Sequence, residues 1–245
     1  IIYYEFLANK TGDSESLEKI AECYERGIGT EVDYKKANEA WGKLLYKGCV
    51  RAYRELGLNL IIDNGGQNKT KGIKYLEHAV DEGDTDAMLL LGKIYQDVEL
   101  GMSYPDKALC YLQMAAEKGH AEAQWRLAEW YEENEQPELA FVYATKSAIQ
   151  QNADGRYRYG RFLIDGIGCK QDIELGLSII TAVALNGHAP AQWFLGQIYR
   201  LGHNVEENII EAAKWYEMAA EQGDIDGMFQ YAFIYLDGVG GVIEN

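Results

Sequence analysis

The feature that most limits what this chain can fold into is an internal repeat of about 36 residues. Similar segments recur along the 245 residues, as in AAEKGHAEAQWRLAEWY, VALNGHAPAQWFLGQIY and AAEQGDIDGMFQYAFIY. Each contains one position, usually glycine, that serves as a marker: Gly12, Gly48, Gly83, Gly119, Gln151, Gly187 and Gly223. Successive markers are separated by 36, 35, 36, 32, 36 and 36 residues. The single short step falls in EENEQPELA, a loop-like stretch before Pro137, where length changes are best tolerated.

Columns of small residues predict how each repeat folds. The residues four positions after the markers are Ser16, Ala52, Ala87, Ala123, Gly155, Ala191 and Gly227. The residues five positions further on are Ala21, Gly57, Gly92, Ala128, Gly160, Gly196 and Ala232. Large apolar residues flank both columns at helical spacing, which is typical of a helix with a close-packing stripe and a core-filling stripe. Another small column, eleven residues before each marker, predicts a second helix that ends at the marker in a left-handed C-cap.

We therefore predict an all-α chain in which helices A and B alternate. The A helices are expected at 14–26, 50–62, 85–97, 121–132, 154–165, 189–200 and 225–236. The B helices are expected at 33–47, 69–82, 105–118, 137–150, 172–186 and 208–222, and residues 1–11 resemble the end of an earlier one. These six to seven helix pairs form a single array over 1–245, with units that start near residues 13, 49, 84, 120, 152, 188 and 224. Because the chain begins without Met and ends where another helix is due, we expect a fragment of a longer protein.

Segments such as AQWFLGQIYRLG and EAAKWYEMAAEQGD carry a pattern that resembles that of the Sel-one-like repeat family, which is related to the tetratricopeptide repeats. The resemblance covers essentially the whole chain, and several columns recur together in each unit. It implies a right-handed α/α superhelical solenoid whose A helices line the concave side. Members of this family are usually adaptors that hold partner proteins, so the resemblance implies a non-enzymatic interaction scaffold.

Composition excludes several kinds of partner. The formal net charge of −16 would repel nucleic acid, and no apolar run approaches the ~18 residues that a membrane-spanning helix needs, so we expect neither nucleic-acid binding nor membrane insertion. The cysteines follow no repeat spacing and are expected to be unpaired thiols, which favours a cytoplasmic location: Cys23, Cys49, Cys110 and Cys169.

No catalytic, metal or cofactor site emerges from the motifs. The Ser-x-x-Lys at Ser16–Lys19 follows a KTG at Lys10–Gly12, which is the reverse of their order in penicillin-recognising enzymes. The glycine-rich GIG and GVG stretches are expected to supply turns between helices rather than a phosphate site: 27–29, 166–168 and 238–240. Histidines such as His120 and His188 lie in different repeats, too far apart to share a metal.

A candidate binding surface comes from the column six residues after the markers, which is aromatic from the fourth repeat onward. We predict a peptide-binding groove formed by Trp125, Arg126, Tyr157, Arg158, Arg161, Trp193, Gln197 and Phe229. Trp, Tyr and Arg are enriched where binding energy concentrates. In the alternative, the aromatic rings pack between helices A and B and the arginines offset nearby carboxylates.

The expected function is therefore a scaffold that binds a protein or peptide, with an acidic or phosphorylated residue on the partner facing the arginines. Two alternatives stay open. One is a hydrolase acting on cell-wall or β-lactam substrates, as suggested for cysteine-rich relatives, and the other is a structural spacer between domains.

Overall fold

A computed structural model describes residues 1–62, 68–97 and 103–236 of the chain. Secondary structure within these ranges is helical, without strands. Fourteen helices are present there: α1 Ile2–Thr11, α2 Ser14–Arg26, α3 Tyr34–Leu45, α4 Val50–Ile62, α5 Lys69–Asp81, α6 Thr85–Gln96, α7 Pro105–Glu117, α8 Ala121–Glu133, α9 Pro137–Ile149, α10 Ala153–Asp165, α11 Ile173–Leu185, α12 Ala189–Leu201, α13 Ile209–Glu221 and α14 Ile225–Leu236.

The predicted alternation of A and B helices is confirmed. The even-numbered helices are the A helices and the odd-numbered ones the B helices, and no predicted end differs from the observed end by more than two residues. Each A helix from α2 to α12 packs most extensively against the B helix that follows it, so the helix pair is the structural unit of the fold.

The chain divides into two compact units, residues 1–120 and 121–245. In the first unit, the side chains of Leu17, Trp41 and Leu44 form a core between α2 and α3. In the second, Ile164, Ile180 and other apolar residues of α10 to α13 form a core, and Tyr216 of α13 is fully buried in a neighbouring cluster. The boundary coincides with a repeat boundary, and the prediction of a single array across 1–245 stays a prediction.

The marker position takes the left-handed backbone conformation in every repeat. The six marker glycines have φ between 63° and 92°, and Gln151, which replaces glycine in the short repeat, has φ 62°. The predicted left-handed ends of the B helices are thus confirmed, even at Gln151, whose side chain disfavours a positive φ. The A-to-B turns at 27–29 and 166–168 likewise use positive-φ glycines, while 238–240 lies outside the described residues.

The columns of small residues mark the closest approach of the two helices in a pair. A Cβ atom added to Gly72 on α5 would lie 2.6 Å from the carbonyl oxygen of Gly57 on α4. The same mutual contact joins Gly160 on α10 to Gly176 on α11, where an added Cβ on Gly176 would again lie 2.6 Å from the facing carbonyl oxygen. Main chain therefore packs directly on main chain at both crossings, which no larger side chain would allow.

The residues directly after the markers form a further column, which caps the A helices. The sequence analysis assigned no role to this column. The residue directly after the marker accepts a hydrogen bond from a main-chain N–H in the first turn of the helix at Asp13, Asp84, Asn152, His188 and Asp224. His188 does so through Nδ1, which accepts from the Ala191 N–H at 3.2 Å. This histidine therefore has a structural role, since a capping Nδ1 satisfies one of the free N–H groups at a helix start.

Candidate binding face on helices α8, α10 and α12

The predicted site residues lie mainly on α8, α10 and α12, all within the second unit. Two guanidinium groups lie over the ring of Trp125: the Cζ atom of Arg126 is 4.5 Å from the ring centroid and that of Arg158 is 5.3 Å away. Trp125 is only partly exposed. Cations above an aromatic face gain electrostatic energy from the ring quadrupole, so the three side chains stabilise one another as a cation–π cluster, here named the Trp125 stack.

The arginines of this stack are also ion-paired. Arg126 bonds Glu122 one turn earlier on α8, with an N–O distance of 2.9 Å. Arg158 on α10 pairs with Glu129 of α8, and its Nη1 lies 3.6 Å from a carboxylate oxygen of Glu132.

Arg161, one turn further along α10, also pairs with the carboxylate of Glu132. The three arginines of the predicted groove are therefore matched by the three carboxylates of Glu122, Glu129 and Glu132, and the cluster is electrically neutral. The alternative in which the arginines offset nearby carboxylates thus describes their arrangement in this structure.

Tyr157 lies beside this cluster and packs on the edge of the core. Its ring makes an edge-to-face contact with Phe194 of α12 at 5.8 Å and lies 5.4 Å from the His188 ring. Burial raises the pKa of the Tyr157 hydroxyl, because a phenolate would lose its hydration there. The phenol therefore stays neutral near pH 7, and the nearby charge of Arg161 only partly opposes this rise in the pKa.

His188 connects α12 to α10 through a second hydrogen bond. Its Nε2 lies 3.2 Å from Oδ1 of Asp154, in the first turn of α10. Because Nδ1 accepts the capping hydrogen bond, Nε2 carries the proton and donates to the carboxylate. This hydrogen bond lowers the pKa of Asp154 more than burial raises it.

The remaining predicted residues do not join the Trp125 stack. The ring of Trp193 packs against the core cluster of α13 and α14 that contains Tyr216 and Ile234. Gln197 accepts a hydrogen bond from Arg200 on the same helix at 3.0 Å. Phe229 lies on α14 with 67% of its surface exposed. The structure thus groups Trp125, the three arginines and Tyr157, and places Trp193, Gln197 and Phe229 in other surroundings.

Three donors on this face make no hydrogen bond within the described residues. They are the buried indole Nε1 atoms of Trp125 and Trp193 and the buried Nε of Arg161. A buried donor without an acceptor costs about 1–3 kcal/mol, so these three groups add nothing to the stability of the fold.

The described ranges contain no group of histidine, cysteine and acidic residues placed to hold a metal ion. All four cysteines are free thiols, as the absence of a spacing pattern predicted. None of the helices in these ranges combines the length and apolar composition needed to cross a membrane.

Comparison with known families decides the classification. The Sel1 repeat model matches the chain seven times, at residues 14–39, 50–84, 85–120, 121–152, 153–178, 189–224 and 225–245. The chain belongs to the Sel1 repeat family. Every match begins at the first residue of an A helix, so the matches follow the helix pairs of the structure.

Two curated fungal relatives match this Sel1 repeat chain over 89% of its length. They are the chitin synthase regulator SKT5 of Saccharomyces cerevisiae, 28% identical, and the chitin synthase regulatory factor 3 of Schizosaccharomyces pombe, 27% identical. The chain spans 34% and 25% of their respective lengths, about a third of one relative and a quarter of the other.

Solved structures show the same repeat fold. The protective antigen c5321 of uropathogenic Escherichia coli, described as displaying an SLR fold, matches with a TM-score of 0.82 at 23% identity, over 98% of this chain and 52% of the antigen. A Sel1 repeat protein from Oxalobacter formigenes matches with a TM-score of 0.71 at 26% identity, over 95% of this chain and 69% of that protein. The predicted helix-pair repeat fold of the Sel1 class is therefore confirmed, and this class comprises repeats that mediate protein–protein interactions, generally without enzymatic activity.

Proposed function

We propose that this Sel1 repeat chain is a non-enzymatic adaptor that binds a protein or peptide segment on the face formed by α8, α10 and α12. The observation that carries the proposal is the contact of Arg126 and Arg158 with the ring of Trp125, because tryptophan and arginine dominate the energetics of protein interfaces. A partly exposed, pre-ordered aromatic ring also loses little conformational entropy when a partner covers it.

The partner is a segment with an acidic or phosphorylated residue next to an aromatic or aliphatic anchor. Arg158 and Arg161 retain further N–H donors besides those that bond Glu129 and Glu132, since each guanidinium carries five N–H groups. An incoming anion can therefore share or replace these carboxylates, while the anchor packs on Trp125 and Tyr157.

The names of the fungal relatives favour a regulatory role for such binding. Both are regulators of chitin synthase, and this chain aligns with them over most of its own length. We propose by analogy that the partner is an enzyme, or a protein that positions one, and that the repeat face holds it.

The test is selection of random peptides displayed on phage against the purified chain, followed by affinity measurement with fluorescently labelled copies of the enriched peptides. We expect the enriched peptides to share an acidic residue near an apolar anchor. Replacing Arg158 and Arg161 by alanine should weaken their binding by about 1–3 kcal/mol for each charge-assisted contact, or roughly 5- to 150-fold.

Arg51 provides a matched control in the other unit. It pairs with Glu18 and Glu22 of the preceding A helix and lies 5.4 Å from the Trp41 ring, so Arg51→Ala removes similar bonds away from the proposed face. Circular dichroism should show unchanged helicity for both variants. Equal loss of affinity in the two variants, or undiminished binding to the Arg158/Arg161 variant, would refute the site, and hydrolysis of a chromogenic β-lactam above background would refute the non-enzymatic role.

A further inference from the structure

A second feature lies between the B helices α9 and α11, away from the Trp125 stack. A groove of about 320 Å³ opens there, here named the α9–α11 groove, with α10 at its base. Its lining residues are Thr145, Ala148, Ile149, Arg156, Tyr159 and Ile179. A smaller cavity of about 220 Å³ adjoins it, and Arg156 lines both.

Arg156 is the notable member of this lining because it has no partner. Its guanidinium makes no hydrogen bond or ion pair within the described residues, whereas Arg158 and Arg161 on the same helix are paired with α8 carboxylates. It also lies in the first turn of α10, where the helix dipole disfavours a cation. Neither ion pairing nor helix stability therefore accounts for a positive charge at this position.

The charge distribution around the groove points to an anionic ligand. The chain carries 39 acidic residues, yet neither the α9–α11 groove nor the adjoining cavity has an aspartate or glutamate in its lining. The unpaired guanidinium is thus the only formal charge among the residues of these two linings, so a carboxylate in the α9–α11 groove would be attracted by Arg156 and would meet no acidic side chain in the lining.

The helices that flank the groove present an unusually apolar surface. Helix α11 contains one charged residue and α9 two, against three to five on α3, α5, α7 and α13. Ile149 at the end of α9 is 72% exposed and Leu185 at the end of α11 is 65% exposed. Aliphatic side chains left in water beside a groove favour a ligand that buries them.

We propose that the α9–α11 groove is a second binding site, for a peptide segment that carries an aliphatic side chain next to a carboxylate. The aliphatic group packs against Ile149, Tyr159 and Ile179, and the carboxylate pairs with Arg156. The site is independent of the face proposed above, because Arg156 lines the groove between α9 and α11 while Arg158 and Arg161 contact α8.

The proposal is tested by titrating the isotope-labelled chain with the peptide acetyl-Gly-Leu-Leu-Asp-Gly-amide. The titration is followed by two-dimensional NMR. We expect shifts of the amide signals of the groove residues by about 5 mM peptide, the weak range suited to so short a ligand. Arg156→Ala should weaken binding at least about fivefold, as should replacement of the peptide Asp by Asn. The substitution removes no bond among the described residues, so the fold should be unchanged.

A charge reversal and a matched control sharpen the test. Arg156→Glu should lose the Asp peptide and bind the corresponding Lys peptide instead, while Arg26→Ala, which removes an exposed arginine of α2, should change nothing. The proposal is overturned if no groove signal shifts, if Arg156→Ala binds equally well, or if dilution of the protein alone reproduces the shifts and so assigns the groove to self-association. Shifts confined to Trp125 and Arg158 would support the first face and refute the groove.

Discussion

Replacing Gly72 by alanine tests whether direct main-chain contact holds α4 and α5 together. The added Cβ atom would lie 2.6 Å from the carbonyl oxygen of Gly57 and 2.6 Å from Cγ1 of Ile61. The Ile61 side chain can rotate, but the carbonyl oxygen belongs to the backbone of α4 and can move only if the helix moves. The substitution must therefore push the two helices apart.

The expected loss of stability follows from two opposing terms. Overpacking a well-filled contact costs about 1–3 kcal/mol, and we take the upper end because the obstructing atom is main chain. Alanine regains about 1 kcal/mol through its higher helix propensity. The free energy of unfolding should therefore fall by about 2 kcal/mol, which lowers a urea midpoint by about 1 M for a slope near 2 kcal/mol/M.

Gly42 on α3 gives the matched control, since it lies in the same unit and an added Cβ there would meet no atom within 4 Å. Gly42→Ala should raise the urea midpoint, because only the propensity term acts. Both midpoints are measured by circular dichroism. A higher midpoint for Gly72→Ala, or equal shifts of the two variants in one direction, would refute the packing argument.

Two further predictions concern single residues. Gln151→Gly should raise the free energy of unfolding by about 0.5–1 kcal/mol, since it relieves a left-handed residue at φ 62°, whereas Gln150→Gly at φ −79° should lower the urea midpoint. Asp154 has a pKa lowered from 3.8 by its hydrogen bond with His188, so its contribution to stability is complete above that value and is lost as the pH falls through the lowered pKa. The urea midpoint should therefore fall less between pH 7 and pH 3 in Asp154→Asn than in the wild type, and equal falls would contradict the assignment.

The helices were predictable from the sequence because the repeat supplies the same local signals several times. Ala21 and Ala128 in the small column are fully buried, as helix packing requires, while Ala232 is exposed on α14, where the described residues include no following B helix. The marker column even predicted the conformation of Gln151, whose residue type alone argues against positive φ. Repetition thus corrects for the ambiguity of any single residue.

The candidate site was less predictable because its contacts join different helices. Sequence position placed Arg158 and Arg161 on one side of α10, but only the packing of α10 beside α8 brings them to Glu129 and Glu132. The α9–α11 groove was missed for the same reason, since Arg156 is unpaired only because the residues that line the groove beside it include no aspartate or glutamate. The one sequence signal for the partners of these arginines was the spacing of Glu129 and Glu132, which lie three residues apart on α8.

The neutral arginine cluster has a consequence for selectivity. Because Glu129 and Glu132 already occupy Arg158 and Arg161, these carboxylates act as built-in competitors, and an incoming anion gains only the difference between its own bonds and theirs. A single carboxylate on a partner gains less over them than a phosphate, which brings about −1.5 to −2 charges and three acceptor oxygens. On the proposed face, phosphorylation of an acidic partner segment would therefore strengthen its binding.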